Sequence, residues 1–96
     1  MARQYEVVYV INPALGDEGL ASTMEKIRSL IEANATEMSV ETWGARRLAY
    51  EIEKTREGFY ELVRFTTEDA EFPKELERVF KITEGVLRYL VVRIGE

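Results

Sequence analysis

A chain of 96 residues, 46% hydrophobic and 32% charged, has the length and composition of one globular domain with a single modest core. It contains no cysteine and no histidine, which excludes disulfides, thiolate metal sites, cysteine nucleophiles and the usual neutral-pH general base. Its net charge of −5 argues against binding nucleic acid unaided, because neutralising phosphates needs a basic face.

From the N-terminus, Gln4 to Pro13 reads as a strand stopped by Asn12-Pro13. Tyr5, Val7, Tyr9 and Ile11 form one face, and Glu6, Val8 and Val10 form the other. A strand apolar on both sides belongs in the middle of its sheet. Its apolar run, Val7 to Ile11, is far too short to span a bilayer. No secretory signal precedes it, so the expectation is a soluble, cytoplasmic protein without a membrane partner.

A helix is expected over 17–33, because Leu20, Met24, Ile27 and Ile31 recur at helical spacing with Leu30 beside them. Asp17 and Glu18 suit the positive end of its dipole, and Asn34 suits its C-terminal end.

A long second strand is expected over 37–54. Met38, Val40, Leu48, Tyr50 and Ile52 share one parity; Glu37, Glu41, Arg47, Glu51 and Glu53 share the other. That alternation describes one dry and one wet face. Gly44 is expected to mark a bulge or kink. Thr55 to Gly58 reads as a polar turn, so a third strand over 59–67 pairs back as a hairpin.

Glu68, Asp69, Glu71, Glu75 and Glu77 gather around the start of a second helix and read as a solvated face favoured by the helix dipole. Pro73 fits its first turn, Phe72, Leu76, Val79 and Phe80 supply its apolar stripe, and Gly85 ends it. The last strand, over 86–94, is apolar on both parities.

The order β-α-β-β-α-β predicts an α+β fold, the ferredoxin-like sandwich, as a single domain over 1–96. Right-handed crossovers place both helices on one face of a four-stranded antiparallel sheet, with the first and third strands central. If Tyr5, Val7, Tyr9, Leu87, Tyr89 and Val91 face the helices, Val8, Val10, Leu90 and Val92 face outward, flanked by Glu6 and Arg88. Those outward residues read either as isolated surface apolars or as a patch that takes a partner.

Enzyme chemistry finds little support. Asp17 and Glu18 stand where an acylphosphatase-like chain of this topology would cradle a phosphate, and there the negative charge repels it. No nucleophile, base and orienting group come together, and no cofactor, metal or small-molecule substrate is implied. The segment "GFYELVRF" imitates an RNA-recognition module only weakly, because the full signature, a basic residue and glycine leading an aromatic pair, is missing. A homodimeric ferredoxin-like regulatory or ligand-binding domain remains an alternative.

Arg46 and Arg47 are adjacent, and adjacent strand residues point to opposite faces, so they form no single cationic patch unless Gly44 distorts the chain. Charged residues on an edge strand deter sheet-to-sheet association. Arg47 could also pair with glutamates of its own strand or of the neighbouring third strand, such as Glu61. Against those readings, arginine and tryptophan concentrate at interface hot spots, and Trp43 lies three residues from Arg46.

"YEVVYVINP", "WGARRLAYEIEK", "EGFYELVRF" and "ELERVFKITEGVLRYLVVR" resemble, in order and spacing, the bacterial small-subunit ribosomal protein S6 family. The resemblance runs from Tyr5 to Arg93. It implies a ferredoxin-like, non-enzymatic RNA-binding protein of the ribosome. It also implies a basic partner, ribosomal protein S18, with which the pair binds the central domain of small-subunit rRNA. An acidic chain is electrostatically complementary to such a partner. By the same resemblance, Arg46 and Arg47 fall in the region facing S18, and Arg3, Arg88 and Arg93 match basic positions assigned to rRNA contact. Many relatives carry proline after the "LAY" step. Here Glu51 stands there, and a charge must blunt the edge instead.

Overall fold

The structure, a computed structural model, describes residues 2–95. The order is β1 (Arg3–Ile11), a 3-10 turn (Pro13–Leu15), α1 (Gly16–Asn34), β2 (Glu37–Ile52), β3 (Thr55–Thr67), α2 (Phe72–Ile82) and β4 (Val86–Ile94). The strands form one antiparallel sheet in the order β2-β3-β1-β4, the expected ferredoxin-like sandwich with β1 and β3 central. Among the described residues no helix is long and apolar enough to cross a membrane.

Local chemistry sets the ends of the elements. β1 stops where the Asn12 side chain accepts a hydrogen bond from the Ala14 amide at 2.9 Å and Pro13 opens the 3-10 turn. The Asn12 amide donates to the Gly85 carbonyl at 2.7 Å, tying the end of β1 to the approach of β4. Asp17 and Glu18 occupy the first turn of α1, and Pro73 opens α2. Asn34 is itself the last residue of α1. Its carbonyl accepts from the Thr67 hydroxyl at 2.7 Å, which fastens the helix end to β3.

One apolar cluster lies between sheet and helices. β1 gives Tyr5, Val7, Tyr9 and Ile11, β3 gives Val63 and Phe65, α1 gives Met24, Ile27 and Ile31, and α2 gives Phe72, Leu76 and Phe80. Tyr89 and Val91 of β4 pack against it. The β1 residues share one parity, so both helices cover the same face, as expected. Burying each large apolar side chain stabilises the fold by ~1.5–3 kcal/mol. Tyr9, Phe80 and Tyr89 form a continuous aromatic column, with centroid spacings of 5.5 and 5.2 Å.

The β2–β3 hairpin departs from expectation. Its turn is not Thr55 to Gly58 but the two residues Glu53 and Lys54, with φ of 48° and 65°, between the paired Ile52 and Thr55. Positive φ at both positions makes a type I′ turn, whose twist matches that of the flanking strands.

The ladder is also interrupted twice. Thr42 stands opposite Glu61 but Gly44 stands opposite Tyr60, so Trp43 is an inserted residue. Gly44 has φ of 81°, where a side chain would cost about 1–2 kcal/mol. Further on, Leu48 to Glu51 lie between the paired Arg47 and Ile52, whereas Arg56 alone lies between their partners Glu57 and Thr55. That segment therefore arches out of the ladder.

The expected single parity for β2 fails as a result. Met38 packs against the helix-side core, whereas Leu48 and Tyr50 turn to the opposite face. One inserted residue is enough to exchange the two faces of a strand.

Candidate partner and nucleic-acid interface

The register places Glu6, Val8 and Val10 of β1, Tyr60, Leu62 and Arg64 of β3, and Arg88, Leu90 and Val92 of β4 on the face away from the helices. Leu90 and Val92 are exposed there, as expected. Val10 is not: it is 3% exposed, because the arch of β2 folds over it. Leu48 is buried, and a Cβ at position 58 would collide with Val10 Cγ1 and stand 3.3 Å from Leu48 Cδ2. Only glycine at 58 admits so close an approach. Val10, Leu48 and Gly58 thus make a small second core on the side expected to be bare.

Two arginine–aromatic pairs border this second core. The Arg46 guanidinium carbon lies 5.9 Å from the Trp43 ring centre, and Trp43 stacks on Tyr60 at 6.3 Å with 18° between the planes. Arg46 Nε also donates to the Trp43 carbonyl at 3.4 Å. On the other side the Arg88 guanidinium carbon lies 5.0 Å from the Tyr50 ring centre, and Arg88 Nη2 donates to the Tyr50 hydroxyl. Pairs of this kind contribute about 0.5–1 kcal/mol when exposed. They hold planar cations and π-faces in fixed orientations, suited to carboxylates, phosphates or a partner's apolar side chains.

The bulge does not unite the arginine pair. Arg46 stands opposite Gly58 and joins Trp43, while Arg47 stands opposite Glu57 on the other face. Nor are Arg3, Arg88 and Arg93 one patch. Arg93 is paired with Tyr5, and Arg3 lies two residues before Tyr5, so those two share one end and one parity of the sheet. Arg88 is paired with Val10, towards the other end and on the opposite face. Arg64, by contrast, is balanced by carboxylates: its Nε is 2.9 Å from Glu6 and its Nη1 is 3.8 Å from Glu41.

Sequence reasoning missed Glu61, which is no surface partner for Arg47. It is fully buried. Its carboxylate accepts from the Tyr9 hydroxyl, from Arg28 Nε at 3.0 Å and Nη2, and from Thr42 Oγ1 at 2.9 Å. Burial, reinforced by the adjacent carboxylate, pushes the Tyr9 phenol far above its ordinary pKa. The same hydrogen bonds raise that of Arg28. A signal was available, since Glu61 shares its parity in β3 with Phe59, Val63 and Phe65, the residues that face the core.

Relatives of known identity agree with this architecture. The chain is 50% identical over 91 residues to a small ribosomal subunit protein bS6 of Clostridium botulinum (strain 657), covering 94% of this chain and 96% of that protein. It is 45% identical over 91 residues to the protein of the same name from Clostridium beijerinckii, covering 94% and 95%. The crystal structure of 30S ribosomal protein S6 from Thermotoga maritima matches with a TM-score of 0.84 and 29% identity, over 97% of this chain and 88% of that one. A de novo designed protein, Foldit4, shares the fold alone, with a TM-score of 0.54 and 13% identity. The family model for ribosomal protein S6 matches residues 4–93. The chain therefore belongs to the ribosomal protein S6 family, structural proteins of the small ribosomal subunit and not enzymes.

Proposed function

We propose that the chain, as a single ferredoxin-like domain on the cytoplasmic ribosome, binds the central domain of small-subunit rRNA jointly with ribosomal protein S18. The observation that supports this reading best is the contrast between a net charge of −5 and an ordered arginine–aromatic cluster on an edge strand. Too few cations are grouped to hold RNA alone, whereas Trp43 and Arg46 have the character of an interface anchor. S18 docks along the β2 edge and the adjoining open sheet surface, with Trp43, Arg46 and Arg47 on its side. Arg3 and Arg93, together at one end of the sheet, and Arg88 across the open face supply the chain's own contacts to rRNA phosphates.

The test is binding to a central-domain rRNA fragment with and without S18. Weak binding alone and strong, cooperative binding together are expected. Tight binding without S18, or none in either case, would overturn the mechanism.

A second reading, homodimerisation through the open sheet, draws on the exposed Leu90, Val92 and Ile94 of β4. Sedimentation of the free protein at rising concentration decides it: a monomer throughout removes this reading.

A further inference from the structure

We propose that Tyr50 is a positioning residue for Arg88: the arch of β2 carries its ring across the open face, where it holds the guanidinium ready for an anion. The inference rests on the reading above that Arg88 meets an rRNA phosphate.

The arch crosses the sheet from one edge strand to the other. Leu48 joins Gly58 of β3 and Val10 of β1 in the second core, and the missing side chain at position 58 makes room for it. Arg88 is the β4 residue paired with Val10, so it lies one strand beyond that core. Tyr50, two residues after Leu48, reaches it there. Arg88 Nη2 donates to the Tyr50 hydroxyl, and the guanidinium carbon lies 5.0 Å from the ring centre. A segment that leaves the β2 edge thus ends on the β4 edge.

Tyr50 is 57% exposed, so its ring is not there to fill a core. What it touches is a cation whose side chain would otherwise be loose. An arginine on an edge strand samples many rotamers, and fixing one of them during binding opposes association. The contact with Tyr50 fixes Arg88 beforehand. It also leaves the guanidinium competent, because the bond spends one N–H and the remaining donors can take phosphate oxygens. The strand that offers Trp43 and Arg46 to a protein partner therefore also aims a cation on the opposite edge.

The test is a double-mutant cycle on the full chain, bound to a central-domain rRNA fragment at saturating S18. Tyr50→Leu should weaken rRNA binding about 2- to 10-fold, the usual cost of ordering one long side chain. Arg88→Ala should weaken it too, and adding Tyr50→Leu to Arg88→Ala should then change nothing further. In the free chain, nuclear magnetic resonance relaxation of the Arg88 Nε–H should show a more mobile side chain in Tyr50→Leu than in wild type. The inference is overturned if Arg88→Ala weakens rRNA binding and Tyr50→Leu does not, or if Tyr50→Leu costs the same with and without Arg88. Equal Arg88 mobility in wild type and Tyr50→Leu overturns it as well. If Arg88→Ala leaves rRNA binding unchanged, the assignment of Arg88 to rRNA fails instead, and the relaxation measurement alone decides whether Tyr50 positions it.

Discussion

The two faces of this sheet are built by different rules. On the helix side, β1 alternates without interruption, and every second residue from Tyr5 to Ile11 enters one core. On the open side, the covering element is the distal half of β2, which the inserted Trp43 turns to that face and the later arch folds over it. Regular alternation produces a face whose content can be read by counting. The open face depends on where counting is interrupted, and a single inserted residue decides whether Leu48 and Tyr50 cover it.

Substitutions on the two faces should separate these rules. The largest effect is expected on the helix side. Phe80→Ala removes a ring that touches both Tyr9 and Tyr89, and should cost about 3–5 kcal/mol in denaturant unfolding. Arg46→Ala combined with Arg47→Ala should leave unfolding nearly unchanged but weaken S18 association by ~1–3 kcal/mol in calorimetry. Unchanged affinity together with increased self-association would return the pair to an edge-guarding role.

Tyr9→Phe probes the network around Glu61. Losing a hydrogen bond to the buried carboxylate should cost about 1–3 kcal/mol at neutral pH. Because folding raises the pKa of Tyr9, its contribution is fully present below the ordinary phenol value, about 10, and is lost as pH rises above it. The difference in melting temperature between wild type and Tyr9→Phe should therefore shrink on going above about pH 10. A constant difference up to the alkaline limit would show that Tyr9 does not ionise on unfolding in that range. The smallest effect is expected at the bulge: Gly44→Ala should cost about 1–2 kcal/mol in chemical denaturation while leaving the helix-side core intact.

Legibility in the sequence follows the same division. The element order, the central placing of β1 and the stripes of both helices were readable, because each rests on a period sustained over several turns or pairs. Gly44 was readable as a bulge, yet its consequence for parity was not, since the position of an inserted residue depends on what it faces across the ladder. The turn was misplaced because Glu53 and Lys54 adopt positive φ without the glycine or asparagine that usually signals it. Glu61 was passed over because a glutamate in a strand suggests solvent, although its apolar neighbours at steps of two marked the core. Of the six interface residues anticipated, the structure brings Trp43 together with Arg46 and sets Arg3 and Arg93 at the same end of the sheet. Arg47 and Arg88 each stand apart from the company expected of them.

Trp43 is the only tryptophan in the chain. Light absorbed at the red edge of the protein's ultraviolet band is therefore taken up at a single place, beside the ring of Tyr60 and the guanidinium of Arg46. The colour and lifetime of its emission follow how near that cation sits and how much water reaches the indole. The molecule thus carries its own optical gauge at the β2 edge, and whatever docks there can be timed without attaching a dye.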